Sequence, residues 1–203
     1  YHFDSTLLEK SSFKNLNLGK IADYFSRYEV DWSDLSEVEK QQLLINTDIL
    51  HESSEMNVGG ALIFAVSPQK FLPNASISFA HFKGLEIDEE LIDKKLIEGP
   101  LPEQVENTLG IIKNNLQTPS TIKGTLRQDK FLYADKVFRE LIVNAVVHRN
   151  YSILGSRIRI FMFDDRIEFI SPGRLPNTIS LEKLRAGVSY AINPVIVKFM
   201  ENL

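Results

Sequence analysis

The sequence contains no cysteine, which excludes a disulfide framework and any metal site with cysteine ligands. The histidines are scattered along the chain and do not form a cluster with metal-ligand spacing; they are His2, His51, His81 and His148. A chain without cysteine is compatible with a reducing compartment, and we therefore expect a cytoplasmic protein.

Long apolar runs are also missing. The longest uninterrupted run, ALIFAV at 61–66, is far shorter than the roughly 20 residues that a membrane-spanning helix requires. The first residues, YHFDSTLLEK, lack the basic start and apolar core of a signal peptide and do not begin with methionine. The sequence therefore predicts no membrane partner, and we expect it to be a fragment of a longer protein.

Basic residues are not in excess, since 23 Lys and Arg stand against 27 Asp and Glu, for a net charge of -4. Proteins that hold duplex DNA without sequence preference usually carry a clustered basic excess. The chain also has no GxxxxGK[ST] loop, which excludes a helicase site of the Walker type. We do not expect this segment to bind DNA by itself.

The composition is that of a soluble globular protein, and the helices and strands predicted below indicate an α+β fold. Hydrophobic residues make up 43% of the chain, whereas glycine and proline number only 10 and 8, which argues against a disordered or fibrous class. A chain of 203 residues is long enough to bury a sizeable core.

Two helices are predicted near the N-terminus. Apolar residues recur at helical spacing over about 17–28 and predict the first helix. Ser36 and Glu39 form a capping-box pattern, which predicts a second helix that ends near Asn46.

The middle of the chain is predicted to be mixed. The stretch 57–66 fits a buried strand or a buried helix equally by periodicity, and we favour a helix capped by Asn57. A strand is expected over 74–84, with His81 as a hydrogen-bonded histidine at a sheet edge. Residues 101–116 have a strongly amphipathic pattern that predicts a helix packed on the core.

The last third is predicted to contain a central helix, a β-hairpin and two short helices. In chain order we expect a strand at 121–127, a helix at 134–149, a hairpin at 156–171, a helix capped by Ser180 and ended by Gly187, and a helix starting at Asn193 and Pro194.

The predicted helix 134–149 has a row of polar residues, Glu140, Asn144 and His148, spaced four apart along one face. An amide oxygen such as that of Asn144 is a hard ligand suited to Mg²⁺, which usually bridges to substrate phosphates. Glu140, one turn away, could then act as a general base on a metal-bound water. By spacing alone, a solvated helix edge remains the favoured interpretation, because Glu and Asn are common on such faces.

Two longer motifs, ELIVNAVVHRNY and IRIFMFDDRIEFISPGRLP, add to this row. They resemble the nucleotide-binding region of the GHKL ATPase superfamily, and more closely the branch of RecG-related transcriptional regulators. In that branch a helix with the pattern REAxxNAxxHRDY precedes a hairpin that ends in SPG. The matching residues here are Arg139, Glu140, Asn144, Ala145, His148, Arg149, Tyr151, Ser171, Pro172 and Gly173.

The resemblance implies a two-layer α/β sandwich that binds ATP with Mg²⁺. By motif match, Glu140 is the general base and Asn144 is the Mg²⁺ ligand. Ser171 and Gly173 belong to the motif that contacts adenine, in which GHKL proteins use an aspartate where Ser171 stands. A neutral hydroxyl accepts a hydrogen bond more weakly than a carboxylate, so the resemblance implies reduced adenine affinity.

Softer motifs extend the resemblance upstream, at 59–65 and 99–104. The family pattern then implies a mixed α/β connecting region at 1–125, following a Schlafen-type or AlbA-like DNA-binding domain outside this chain. It also implies a GHKL-like domain at 126–203 that is truncated at the C-terminus. The glycine motif that holds phosphates in this branch does not follow Asn193 and Pro194, and its arginine before that pair is Ile192 here.

His148 and Arg149 have two interpretations. As cofactor-binding residues, His148 would border the pocket and Arg149 would reach a phosphate; as structural residues they would stabilise the end of the helix, which we favour. Arg157, Arg159 and Arg166 are expected to be solvated strand residues.

Two functions remain open from the sequence. The first is an ATP-binding regulatory module of a bacterial, cytoplasmic DNA-binding regulator, with slow ATP hydrolysis at most. In it, DNA is bound by domains outside this chain, and a homodimer is possible. The second is a noncatalytic scaffold or dimerisation module of GHKL origin that no longer binds nucleotide.

Overall fold

The computed structural model describes residues 2–116, 126–174, 177–180 and 193–201. The chain forms two compact units. Unit 1 consists of Tyr1–Pro73, Gly99–Pro102 and Ala191–Leu203, and unit 2 of Asn74–Glu98 and Glu103–Tyr190. This division differs from the one expected at residue 125, because strands from both sides of that residue belong to unit 2.

The described part of the chain contains six α-helices and five β-strands. The helices are α1 (Leu18–Ser26), α2 (Glu37–Asn46), α3 (Val58–Phe64), α4 (Leu101–Leu116), α5 (Leu126–His148) and α6 (Pro194–Glu201). The strands are β1 (Ile77–Phe82), β2 (Leu91–Ile97), β3 (Ile158–Met162), β4 (Arg166–Ile170) and β5 (Asn177–Ser180). This is an α+β fold, as predicted. No helix in the described ranges is long and apolar enough to span a bilayer.

Two helices of unit 1, α2 and α3, start where side-chain caps were predicted. Ser36 and Glu39 form the reciprocal capping box at the start of α2. Asn57 caps α3, since its Oδ1 accepts the Gly60 N–H at 2.6 Å. Every residue of α3 is buried, which explains why periodicity could not separate a helix from a strand at this position.

An aromatic cluster forms the core of unit 1. The ring of Tyr24 lies 5.3 Å from that of Phe64 and 5.6 Å from that of Phe199, both in edge-to-face geometry. Helices α3 and α6 approach closely at Gly59, where an added Cβ would lie 2.6 Å from Cγ1 of Val195. The close approach requires glycine at this position.

The N-terminus of α6 is capped from the other end of the sequence. Oδ2 of Asp4 accepts the backbone N–H of Val195 at 2.7 Å and of Ile196 at 3.1 Å. Asp4 is fully buried, and this burial raises the pKa of its carboxyl, while the two hydrogen bonds partly oppose the shift. The cap therefore orders α6 but places a carboxylate where ionisation is unfavourable.

We expect Asp4→Ala to lower the free energy of unfolding by about 1–2 kcal/mol, because it removes the cap. Asp4→Asn keeps an acceptor and cannot ionise, so it should cost less. A group with a raised folded-state pKa contributes stability below its ordinary pKa of 3.8, and loses that contribution as pH rises through the folded-state value.

Urea unfolding of the two variants and the wild type, between about pH 4 and pH 7, measures both effects. Asp4→Asn is expected to gain stability relative to the wild type as pH rises. A stability difference that does not change with pH would contradict the raised pKa.

Unit 2 is built on a five-stranded sheet in the order β2-β1-β3-β4-β5. Strands β1 and β3 are parallel, with Ile77 opposite Ile158, whereas the other neighbouring pairs are antiparallel. The hairpin of β3 and β4 was predicted, but β2 was not. Six of the seven residues of β2 are not buried, so its sequence lacks the alternation that identifies a half-buried strand.

Unit 2 also contains α5 and all but the first two residues of α4, and polar side chains join these elements. Nε2 of Gln104 in α4 donates to the carbonyl of Ala75 just before β1, at 2.8 Å. The two helices are joined by an ion pair of Lys113 with Asp135 at 2.6 Å and by a second pair of Arg139 with Glu106. These contacts place α4 beside the start of β1 and α5 beside α4.

His81 lies on β1, an interior strand, and not at a sheet edge as predicted. It is almost fully buried, and its Nδ1 lies 2.8 Å from Oδ1 of Asn115 in α4. The histidine is therefore hydrogen-bonded as expected, but it is enclosed by the sheet and α4.

Helix α5 begins eight residues before its predicted start at 134. Leu126 and Arg127 are helical, so the strand predicted at 121–127 is wrong for these two residues, and the rest of it lies outside the described residues. Ser180 ends β5, and the helix predicted after it also falls outside the described ranges.

Candidate functional site

The polar row of α5 passes from solvent to the interior. Glu140 is exposed, Asn144 is half-buried and His148 is buried. The apolar stripe of the same helix, which includes Phe138 and Ile142, is in the core. The row therefore forms an accessible surface at its first two members and a packed helix end at the third.

The SPG turn after β4 packs against the C-terminal end of α5. Oγ of Ser171 donates to the carbonyl of Ala145 at 3.2 Å, directly beside Asn144 in sequence. The backbone N–H of Asn150 donates to the carbonyl of Pro172 at 3.0 Å. These two bonds bring the two sequence motifs together.

Gly173 completes this turn in the left-handed region, with φ of +80°. A Cβ at this position would lie 2.6 Å from Cβ of Asn150. The positive φ and the close approach to Asn150 both require glycine at position 173. A side chain here would force the turn away from the end of α5.

We expect Gly173→Ala to lower the free energy of unfolding by about 1–3 kcal/mol, from backbone strain and overpacking against Asn150. Gly155→Ala is the matched control, because a Cβ there meets nothing within 4 Å. Urea denaturation of both variants tests the difference. If the two variants are equally stable, the close packing of the turn is contradicted.

The guanidinium of Arg149 is enclosed by backbone carbonyls. It donates to Asn74 O at 2.7 Å, Ile153 O at 3.2 Å and Ser156 O at 2.5 Å, and it lies 5.0 Å from the ring centre of Tyr151. Only 2% of the residue is exposed, and this burial lowers the pKa of Arg149. These contacts agree with the structural interpretation of Arg149, since they join the end of α5 to the segments before β1 and β3.

Tyr151 reinforces the same helix end. Its hydroxyl donates to the carbonyl of Val146 at 2.5 Å, and burial raises the pKa of the phenol. The tyrosine therefore stays neutral and satisfies a carbonyl that the end of the helix leaves without an intrahelical donor.

The three hairpin arginines differ from one another. Arg159 is exposed, as predicted. Arg157 instead donates from Nε to Oγ of Ser76 at 2.9 Å. Arg166 is half-buried, and it bonds Glu168 and the carbonyl of Leu85, both at 2.9 Å. The expectation of solvated side chains is therefore wrong for Arg157 and Arg166, because the adjacent strand and loop provide acceptors.

The donor set fits a metal that is shared with a ligand. No group of three or more His, Asp or Glu in the described ranges is arranged to hold a metal ion. An Mg²⁺ ion held mainly by phosphates and water needs only one or two protein oxygens. Asn144 and Glu140, one turn apart on an accessible face, can supply these two oxygens.

Residues 155–203 match the family model described as "Putative ATP-dependent DNA helicase recG C-terminal". The match includes the β3–β4 hairpin and the SPG turn, so this part of the chain is similar to a RecG-related, ATPase-like region. No curated protein sequence matches the chain.

A solved structure has a similar fold: the DIP2311 protein from Corynebacterium diphtheriae, with a TM-score of 0.61 and 13% sequence identity. The similarity covers 100% of this chain and 33% of that protein, so the chain spans about a third of its length. At this identity the comparison supports the fold alone.

The sequence did not predict a hydrogen-bonded cluster of three side chains in unit 2, formed by His81, Asn115 and Asp93. Nδ2 of Asn115 donates to Oδ2 of Asp93 at 2.9 Å, while its Oδ1 contacts His81. The three residues come from β1, β2 and α4, and no local motif connects them. Recognising β2 as a strand opposite β1 would have placed Asp93 beside His81.

Proposed function

We propose that α5 and the ATPase-like region that follows it, residues 155–203, together bind ATP with Mg²⁺ on the accessible face of α5. They serve as a regulatory module of a bacterial, cytoplasmic transcriptional regulator whose DNA-binding parts lie outside this chain. The observation that carries this proposal is the bond from Ser171 to Ala145, which brings the SPG turn next to Asn144. The match of residues 155–203 to an ATPase-like family model supports it.

The metal side of the proposed site consists of two residues. Asn144 contributes an amide oxygen to Mg²⁺, which neutralises phosphate charge when nucleotide is bound. Glu140 accepts the proton of an attacking water, and because this carboxylate is exposed, we propose that hydrolysis is slow. His148 borders the pocket at its buried end. Arg149 acts as a positioning residue, since its donors are directed to carbonyls.

The adenine side consists of Ser171 and Gly173. Because the Ser171 hydroxyl donates its proton to Ala145 O, its lone pairs remain to accept the adenine amino group. A neutral acceptor discriminates less than a carboxylate does. We therefore expect modest preference for ATP over GTP, and we expect Ser171→Asp to increase this preference.

Calorimetric titration of the protein with a non-hydrolysable ATP analogue, with Mg²⁺ and then with EDTA, tests the proposal. The expected result is saturable, Mg²⁺-dependent heat. Ser171→Asp should bind the ATP analogue more tightly, by about three- to tenfold, and leave the GTP analogue unchanged. No binding to the wild type or to Ser171→Asp would contradict nucleotide binding.

The second candidate is a noncatalytic scaffold of the same fold, and one observation favours it. Ser171 is buried, with only 8% of the residue exposed, and its hydroxyl donates to the carbonyl of Ala145 in α5. These contacts suit a residue that holds two elements together. On this alternative, Ser171→Ala lowers stability without any effect on ligand binding, because no nucleotide binds.

A further inference from the structure

Strand β2 forms one edge of the sheet, with β1 on its inner side and no described strand on its outer side. Edge strands usually carry features that prevent pairing with another chain, such as short length or charged residues. β2 has seven residues, of which Leu91, Ile92 and Leu96 are exposed, with 54% of Leu96 accessible. This edge therefore combines unpaired backbone with exposed apolar side chains.

A groove follows this edge between β2 and α4. Its lining includes Lys95 and Ile97 from the strand and Gly110 and Asn114 from the helix. A Cβ at Gly110 would meet nothing within 4 Å, so the helix leaves open space beside the strand. An edge strand beside an open groove is the geometry in which proteins accept an additional strand.

The sequence of β2, LIDKKLI, is self-complementary about Lys94. If a second β2 runs antiparallel with the two Lys94 residues opposite each other, Ile92 faces Leu96 of the second copy. Asp93 then faces its Lys95. Leu91 faces Ile97 in the same way. A twofold axis repeats each pair, so one interface gains four apolar and two oppositely charged cross-strand pairs.

Neighbouring registers lose this match. Centring the pair on Asp93 places Ile92 opposite Lys94, whereas centring it on Lys95 places Asp93 opposite Ile97. Both put a charge opposite an apolar side chain. If two copies of β2 pair, the sequence of the strand therefore favours the register centred on Lys94.

Asp93 makes two local contacts at this edge that pairing with a second strand would replace. Oδ1 of Asp93 accepts the N–H of Lys94 at 2.9 Å and lies 3.7 Å from Nζ of Lys95. Pairing replaces the first contact with a backbone bond to the second copy and the second with a cross-strand ion pair. Asp93 keeps its bond from Asn115, which holds the carboxylate at the edge.

We propose that β2 pairs antiparallel with β2 of a second copy of this chain, centred on Lys94, and so joins two sheets into one. The two Lys94 ammonium groups lie opposite each other at the centre and weaken the dimer. This surface is independent of the proposed nucleotide site.

Disulfide trapping tests the register, because the chain has no cysteine of its own. Ile92→Cys and Leu96→Cys chains are oxidised separately and as a mixture. Directly opposite residues in an antiparallel pair lie about 4.5–5.5 Å apart at Cα, within disulfide range. We expect a crosslinked dimer in the mixture and about tenfold less in either variant alone. Equal crosslinking in all three samples overturns the proposal.

Sedimentation equilibrium of the 203-residue chain tests the association itself. Leu96→Lys is expected to weaken the dimer about tenfold or more, and Lys94→Thr to strengthen it about two- to fivefold. Lys136→Thr, on an exposed part of α5, is the control and should change nothing. Circular dichroism confirms that each variant is folded. Either of two results overturns the proposal: a chain that stays monomeric at all concentrations, or a dimer that Leu96→Lys does not weaken. The β2 edge would then be available to a different strand.

Discussion

Arg149→Met is expected to lower the free energy of unfolding by about 3–5 kcal/mol, the largest stability change that we predict. The guanidinium satisfies carbonyls of three residues, Asn74, Ile153 and Ser156, and methionine can donate to none of them. A buried carbonyl that loses its donor costs about 1–3 kcal/mol. Relief of the desolvated charge offsets only part of this loss.

Urea unfolding measures the effect, with Arg159→Met as the matched control because Arg159 is exposed on β3. The control should change stability by less than about 0.5 kcal/mol. Arg149→Lys, with a smaller donor group that cannot span the three carbonyls, should fall between the two. If Arg149→Met is as stable as the control, the carbonyl contacts do not stabilise the fold.

Asn144→Ala is expected to weaken Mg²⁺-dependent binding of an ATP analogue by about 10- to 100-fold, a loss comparable to that of other metal-site substitutions. The reason is that, in the proposed site, Asn144 contributes its amide oxygen to Mg²⁺ and precedes Ala145, which contacts the SPG turn. Because Asn144 is only half-buried, the variant should unfold at nearly the wild-type urea concentration.

Asn107→Ala is the matched control, since Asn107 is an exposed asparagine on α4. Calorimetry of the wild type and both variants, with and without Mg²⁺, separates a metal role from a general loss of affinity. Equal affinity of the wild type and Asn144→Ala for the ATP analogue would contradict the role given to Asn144. Whether ATP binds at all is decided separately by the titration of the wild type.

The features that could be predicted from the sequence are local. A cap needs only residues three apart, so Ser36 with Glu39 and Asn57 with Gly60 were readable from spacing. The row of Glu140 and Asn144 was readable for the same reason, because helical geometry fixes which positions share a face. Its exposure at Glu140 is also what an amphipathic helix implies.

The features that could not be predicted depend on distant partners. The sequence predicts that Arg149 is a cation at the end of a helix. Its acceptor at Asn74, however, comes from a segment that precedes β1. Asp4 caps a helix that begins at Pro194, and no local pattern connects the two. Such contacts are set by the packing of the whole unit and not by spacing.

Strand β2 was missed for a different physical reason. An edge strand that is exposed on most of its residues has no buried face, and so its apolar residues need not alternate. The charged residues Asp93 and Lys95 also separate the apolar residues at the two ends of the segment, so no continuous apolar run indicates a strand. The same pattern becomes informative once the strand is known, because it is self-complementary.

Chemical-shift mapping on ¹⁵N-labelled protein, titrated with a non-hydrolysable ATP analogue and Mg²⁺, tests nucleotide binding at α5 most directly. We predict that the backbone amides of Asn144, Ala145, Ser171 and Gly173 shift together and saturate together, while those of the α2 capping box do not move. The absence of shifts in α5 and the SPG turn, or shifts confined to unit 1, would contradict a nucleotide site formed by these two motifs.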